Sequence, residues 1–260
     1  MNLWGKESIL YLTVFLMAGC ATTQPSYIPL PREASQAINS SNVVILSTQH
    51  EITAEVDRSN VATAMGGGLI PALIDVVIER SRSKSAEEMI RPIRNALIDY
   101  DIGAEIRNSS GEKLSAIPWL KIQKIEVLST ARTDLVSNLL ASGSEDVLVI
   151  INPSYTLTSD FSALKTNAVL EVYPRSSNLK KFEKTDGGKS DKPTPIYKNQ
   201  ASHMYSLPSN PSDKNTASLE WAKSNGALVR EGLKQGVQAI SDILLKGLND
   251  PHSLSGSSSK

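Results

Sequence analysis

Histidine and cysteine side chains are common zinc ligands, and the chain contains three histidines and one cysteine. A zinc site takes three or four ligands, usually with two close in sequence, because a turn or helix must aim both at one point. His50, His203 and His252 share no such spacing. We therefore expect histidines that lie at the surface or make ordinary hydrogen bonds, and no metal site.

Serine is abundant, but a serine nucleophile needs a neighbouring base and often lies in a sharp Gly-x-Ser-x-Gly turn. The nearest match, Gly143-Ser144, lacks the second glycine and fits the end of a short helix. The sequence therefore predicts no catalytic residues, no cofactor and a non-enzymatic protein. A hydrolase with an unrecognised site is the third and least favoured hypothesis.

Charged residues cluster at a few places. Glu87-Glu88 fits a helix start, and Asp99 and Asp101 fit a helix end before Gly103. The segment 175–198 has a basic excess and contains glycine and proline, so we expect a solvated loop between strands; contact with anionic headgroups or cell-wall polymer is the alternative. Its basic residues are Arg175, Lys180, Lys181, Lys184, Lys189, Lys192 and Lys198.

Three consecutive glycines, Gly66, Gly67 and Gly68, precede an apolar segment, Leu69–Ile78, with helical spacing. Free amides at a helix start attract anions, but the endings typical of phosphate loops and dinucleotide folds are missing. We expect a turn with close backbone packing. Contact of these glycines with a ligand or partner is the alternative.

The cysteine has a distinctive setting. Cys20 follows an apolar run, Ile9–Met17, that is too short to span a bilayer, where a helix needs about twenty residues. The segment Leu16-Met17-Ala18-Gly19-Cys20 resembles the bacterial lipobox, with methionine where that motif usually has leucine. The resemblance implies cleavage between Gly19 and Cys20 and attachment of diacylglycerol to the thiol.

A lipid on Cys20 would fix the location of the protein. Two or three acyl chains hold a protein on a membrane essentially permanently. Position 21 is alanine and not aspartate, which by similarity to enterobacterial lipoproteins implies the outer membrane with the domain in the periplasm. Because Cys20 is the single cysteine, no disulfide can form within the chain.

Composition excludes other classes of protein. The 27 basic and 27 acidic residues balance, so there is no electrostatic footprint for nucleic acid. The hydrophobic content of 40% is too high for wholesale disorder. We divide the chain into a signal peptide (1–19), the lipidated cysteine with a flexible tether (20–41), one periplasmic domain (42–250) and a disordered tail (251–260).

Apolar periodicity predicts the elements of that domain. We expect a strand over 43–56, helices over 69–78 and 85–100, a strand over 119–128, a helix over 135–141 and a buried central strand over 147–151. An antiparallel hairpin should follow, with Tyr155 and Leu157 before its turn and Ala168, Leu170 and Val172 after it, then a strand near 196–207 and a long amphipathic helix over 219–248. Pro92 should kink the second helix or move its start to about residue 91. Four glycines in the last helix indicate close packing.

This order predicts an α/β (or α+β) fold, with a mixed sheet of about five strands, helices packed on it and a long C-terminal amphipathic helix. It resembles the periplasmic α/β domains of outer-membrane assembly lipoproteins. The Gly66–Ile70 helix start and the Leu157–Leu164 turn also resemble a family of uncharacterised proteobacterial lipoproteins, which implies no activity.

Three hypotheses about function follow. The first is an outer-membrane-anchored lipoprotein, facing the periplasm, that acts as a non-enzymatic assembly or protein-interaction component. Its partners would be the membrane, through Cys20, and envelope proteins, and a homo-oligomer is compatible with it. The second is a periplasmic binding module for a small ligand, lipid or glycan, with its pocket near residues 66–78. The hydrolase is the third.

Overall fold

A computed structural model of the chain describes residues 27–55, 84–130, 134–183 and 193–252. The strands in these ranges are β1 (Ser41–Leu46), β2 (Thr53–Ala54), β3 (Ile122–Leu128), β4 (Val147–Leu157), β5 (Ala163–Pro174) and β6 (Tyr197–Ser206). The helices are α1 (Arg32–Ala37), α2 (Lys84–Asn95), α3 (Ile102–Ser115), α4 (Leu135–Ser142), α5 (Ser177–Lys180) and α6 (Lys214–Asn249). None of these helices has both the length and the apolar character that a membrane span requires.

The described strands form one mixed sheet in the order β3-β1-β4-β5-β6, and the short β2 pairs with the far end of β4. Strand β1 runs parallel to β3 and β4, whereas β4, β5 and β6 form an antiparallel meander. The apolar run Val147–Ile151 lies in β4 between β1 and β5 and is buried throughout, as expected for a central strand. The predicted α/β class and mixed sheet are confirmed.

Helices cover the two faces of the sheet unequally. The main core lies between one face and α2, α3 and α6. On the other face α4 covers β1 and β4 with a second, smaller apolar cluster. The buried members of that cluster are Val44, Leu46, Leu148, Ile150 and Tyr173, and the residues packed against them are Leu128, Leu135, Val136, Leu139 and Leu140.

The long helix α6 lies very close to strands β5 and β6. A Cβ added to Gly236 would clash with Thr166 Oγ1, and one added to Gly232 would lie 2.8 Å from a ring carbon of Tyr205. Both positions therefore require a residue without a side chain. The close packing expected from the glycines of this helix is present.

Helix α6 is not continuous, in contrast to the expected uninterrupted helix. Its backbone leaves the helical region at Lys223 and has positive φ at Ser224, Asn225 and Gly226. The break follows Trp221, which is fully buried and donates from its indole nitrogen to the Phe161 carbonyl at 2.7 Å. The break therefore divides α6 into a first part, which carries Trp221, and a second part, which carries Gly232 and Gly236.

The described part of the expected tether, residues 27–41, belongs to the domain. Leu30, Ala34 and Ile38 recur at a spacing of four residues and are buried in the main core. Ile28 exchanges two backbone hydrogen bonds with Lys198, and the Leu30 amide donates to the Pro251 carbonyl at 2.8 Å. The proline-rich composition had suggested a tether, but this apolar stripe offsets the entropy of ordering the segment.

The described start of the expected tail is also ordered against the domain. Pro251 is buried, and His252 Nδ1 hydrogen-bonds to the Leu30 carbonyl at 2.8 Å. The N-terminal and C-terminal segments therefore hold each other in place. The rest of the tail, residues 253–260, lies outside the described residues.

The connection between β2 and β3 differs from the prediction. The helix expected over 69–78 lies outside the described residues. Helix α2 begins at Lys84 and contains Pro92, so the later start at about residue 91 is wrong, and α2 ends at Asn95 instead of near Tyr100. Helix α3 was not predicted at all. Its buried face includes Gly103 and Ser110 besides apolar residues, so its apolar periodicity is weak.

The close contact of α6 predicts opposite effects of alanine at two helical glycines. Gly236→Ala should lower the free energy of unfolding by about 1–3 kcal/mol, because the new methyl group clashes with Thr166. Gly111→Ala in α3 is the matched control: a Cβ there meets nothing within 4 Å, so alanine should stabilise by up to about 1 kcal/mol. Urea unfolding of the two variants measures both changes, and equal effects would refute the close contact.

The packing of residues 27–41 predicts a large cost at Leu30, which is 2% exposed. Leu30→Ala should lower the free energy of unfolding by about 2–5 kcal/mol, as expected for a leucine removed from a core. Gln36→Ala on the exposed side of α1 should change it little. If Leu30→Ala unfolds at the same urea concentration as the unsubstituted protein, this segment is a tether after all.

Candidate functional site

Two groups of residues that the sequence singled out lie outside the described residues. These are Gly19 and Cys20 at the expected cleavage and lipidation site, and Gly66, Gly67 and Gly68 at the expected helix start. The structure therefore tests the remaining polar residues, and it adds a surface that the sequence did not indicate.

The three histidines lie in different parts of the described structure. His50 is exposed beyond β1, His203 lies half-buried on β6, and His252 contacts Leu30. Within the four described ranges, no group of three histidine, cysteine, aspartate or glutamate side chains could hold a metal ion.

The two carboxylate pairs make structural contacts. Glu87 forms an ion pair with Arg94 within α2. Asp99 pairs with Arg230 of α6, whose hydrogen bond holds the pKa of the Asp99 carboxyl below its usual range. Asp101 caps α3 by accepting from the Ala104 amide at 3.1 Å. Asp101 was expected at the end of a helix and instead begins the next one.

A buried charge cluster spans β5 and β6. Glu171 is 4% exposed, and its two carboxylate oxygens accept from Tyr173 Oη at 2.8 Å and from Lys198 Nζ at 3.0 Å. Burial, with the Glu171 charge next in importance, raises the pKa of Tyr173 well above its ordinary value. Both oxygens of the carboxylate have partners within the sheet, so removal of either partner would leave part of a buried charge unpaired.

The basic segment 175–198 is only partly a solvated loop. The side chain of Arg175 is 5% exposed and contacts Glu145 and the Leu139 carbonyl, and Lys198 belongs to the Glu171 cluster. Lys180 and Lys181 are exposed on and next to α5. Residues 184–192 lie outside the described residues.

The exposed edge of the sheet at β3 is a candidate interaction surface. Among the residues that the structure describes, strand β3 pairs only with β1, and none of its seven residues is fully buried. An edge strand presents unpaired backbone amides and carbonyls, which can pair with another strand. By contrast, the β6 edge is covered at Lys198 by the backbone of Ile28.

A groove of about 700 Å³ runs beside this edge, between β3 and α3. Its strand wall includes Ile122 and Ile125, and its helix wall is polar, with Gly111 leaving open space where a side chain would otherwise stand. We call strand β3 and this groove the β3–α3 edge. The helix residues that line it are Arg107, Asn108, Gly111, Glu112 and Ser115.

Two opposite charges stand on β3 itself. Lys124 and Glu126 lie two residues apart, so they share one face of the strand, and they form an ion pair. The hydrogen bond from Lys124 holds the pKa of the Glu126 carboxyl below its usual range. The Asn42 side chain of β1 donates to the other Glu126 oxygen at 3.4 Å.

The sequence predicts the strand at the β3–α3 edge but not its place at the edge of the sheet. The alternation of Lys124, Ile125, Glu126 and Val127 is a detectable sign of a strand with one polar face. Which strand lies beside it depends on pairing between residues some 80 positions apart, and α3, the other wall, was missed.

No protein-family model and no curated protein matches the sequence. Solved structures that overlay on the chain include the hypothetical protein CT253 from Chlamydia trachomatis, with 9% identity, coverage of 81% of this chain and 96% of that chain, and a TM-score of 0.34. A candidate lipoprotein from Caulobacter crescentus CB15 overlays with 7% identity, 57% and 81% coverage, and a TM-score of 0.24.

A third overlay is the PelC dodecamer from Paraburkholderia phytofirmans, with 9% identity, 88% and 96% coverage, and a TM-score of 0.28. All three TM-scores lie below 0.5, so no conclusion about this chain rests on these similarities.

Proposed function

We propose that the protein is a lipid-anchored lipoprotein of the outer membrane, facing the periplasm, whose domain binds other envelope proteins without catalysing a reaction. The observation that carries this proposal is the segment Leu16–Cys20, in which small residues and the chain's single cysteine follow an apolar run of signal-peptide length. Alanine at position 21 supports sorting to the outer membrane.

The packing of the N-terminal segment gives the anchor a short reach. Tyr27, the first described residue, forms an edge-to-face contact with Tyr197, and Ile28 pairs with Lys198. Cys20 precedes Tyr27 by seven residues. Seven residues span at most about 25 Å when fully extended. The domain is therefore held close to the bilayer instead of extending far into the periplasm.

The β3–α3 edge supports the binding role. Addition of a strand to an exposed sheet edge is a recurrent mode of protein recognition, in which backbone hydrogen bonds give affinity and side-chain pockets give specificity. Strand β3 offers the backbone groups and the groove beside α3 offers room for side chains. An anchored domain that presents such an edge suits assembly with other proteins at the membrane.

The polar clusters of the described domain support a non-enzymatic role. The Glu171 carboxylate accepts a hydrogen bond from Tyr173 and forms an ion pair with Lys198, and Asp99 forms an ion pair with Arg230. Each of these groups has a structural partner, and the proposal assigns no cofactor and no catalytic step.

The anchor predicts two distinct effects of substitution. Cys20→Ala should abolish incorporation of labelled palmitate, because the acceptor thiol is lost. Ala21→Asp should leave the lipid in place and move the protein to the inner membrane, because aspartate after the lipidated cysteine retains lipoproteins of the enterobacterial type there. Density-gradient fractionation of membranes, with palmitate labelling of each fraction, measures both.

The control is Thr23→Asp, which adds the same charge two residues further along and should leave the protein in the outer membrane. An unlabelled wild-type protein that is released without detergent would contradict the anchor. Labelled wild-type protein that fractionates with the inner membrane would contradict the sorting alone.

A further inference from the structure

The charges on β3 indicate what kind of strand can bind at the β3–α3 edge. Charged side chains on an edge strand usually discourage pairing with another chain. Here the two charges have opposite sign, stand on one face, and flank a single residue, Ile125. Lys124 is 62% exposed and Glu126 is 30% exposed, so both can reach across the edge.

This arrangement is complementary to itself when the strand is reversed. In an antiparallel pair centred on Ile125, Lys124 stands opposite Glu126 of the second copy, and Glu126 stands opposite Lys124. Directly opposite side chains in an antiparallel pair lie about 5 Å apart, close enough for an ion pair. Each charge would then have one opposite charge beside it on its own strand and another across the pair.

The charges also select the register. If the antiparallel pair were centred on Lys124, Lys124 would stand opposite Lys124 of the second copy. If it were centred on Glu126, the two Glu126 side chains would stand opposite each other. Like charges directly opposite each other are destabilising. Among these neighbouring registers, only the one centred on Ile125 pairs both charges favourably.

We propose that the β3–α3 edge binds the β3 strand of a second copy of this chain, in an antiparallel pair centred on Ile125, so that the two sheets become continuous. The groove beside α3 accommodates side chains of the incoming strand. This inference rests on the proposed function, because it uses the same edge for protein binding. It identifies the bound protein as a second copy of this chain.

The anchors are compatible with this pair. Its two-fold axis is perpendicular to the sheet at Ile125, because both copies contribute the same strand in opposite directions. The Tyr27 residues of the two copies therefore lie at the same height along that axis. Both Cys20 residues can then reach one bilayer when the joined sheet lies along the membrane. Confinement to the membrane raises the effective concentration of each copy for the other.

Engineered cysteines test the register directly. In the proposed pair, residue 125 faces residue 125 of the other copy, whereas the two residues at position 123 are four positions apart, about 13 Å. A disulfide requires Cα atoms closer than about 7 Å. With copper phenanthroline as oxidant, purified full-length Ile125→Cys should form a disulfide-linked dimer. Gln123→Cys and the unsubstituted protein should not.

Charge variants test the contact independently. Lys124→Glu and Glu126→Lys each place like charges opposite each other, so each should raise the dissociation constant of the dimer by about tenfold or more. A mixture of the two variants pairs unlike charges again and should restore the dimer, and so should the double variant Lys124→Glu/Glu126→Lys. Lys234→Glu on the exposed side of α6 should have no effect.

Analytical ultracentrifugation of the detergent-solubilised proteins gives the dissociation constants. A monomeric unsubstituted protein, or charge variants that the mixture does not rescue, would overturn the self-pairing. If crosslinking in cells through residue 125 captures a different envelope protein, the self-pairing is wrong while the proposed function stands. If the unsubstituted protein incorporates no palmitate, the lipid anchor is refuted. The dissociation constant of the dimer in solution is a separate measurement and does not depend on that result.

Discussion

The close approach of α6 to strands β5 and β6 is the constraint on which the rest of the structure depends. Because Gly232 and Gly236 have no side chains, the helix lies directly over Tyr205 and Thr166. From this position α6 also packs against α2 and α3, so it fixes the helical layer over one face of the sheet. Helix α3 connects that layer to β3, which is the last strand on its side of the described sheet.

Much of this architecture could be predicted from the sequence, because it depends on local patterns. The apolar run at 147–151 marks a central strand, and the alternation around it marks the antiparallel meander. The glycines in the long C-terminal helix indicated close packing, although only the structure shows that Thr166 and Tyr205 are the residues contacted. Periodicity does not reveal the break at 223–226, where a short non-helical segment interrupts an otherwise amphipathic pattern.

The features that the sequence did not predict depend on contacts between distant residues. Leu30, Ala34 and Ile38 form only a short apolar stripe in a segment rich in proline and polar residues, and the core that they enter shows that they are buried. Glu171 and Lys198 look like loop or surface charges until strand register places them opposite each other. Likewise, Lys124 and Glu126 resemble a solvated strand face, and their complementarity becomes visible only once β3 is known to be an edge.

Hydrogen exchange of the β3 backbone tests the central claim most directly. The peptide Ile122–Leu128 should exchange more slowly at high than at low protein concentration, since outward-facing amides of β3 gain partners when two copies pair. In the Lys124→Glu variant the same slowing should require a protein concentration about tenfold higher or more. Concentration-independent exchange of this peptide in the unsubstituted protein would show that the β3 edge does not bind a second copy.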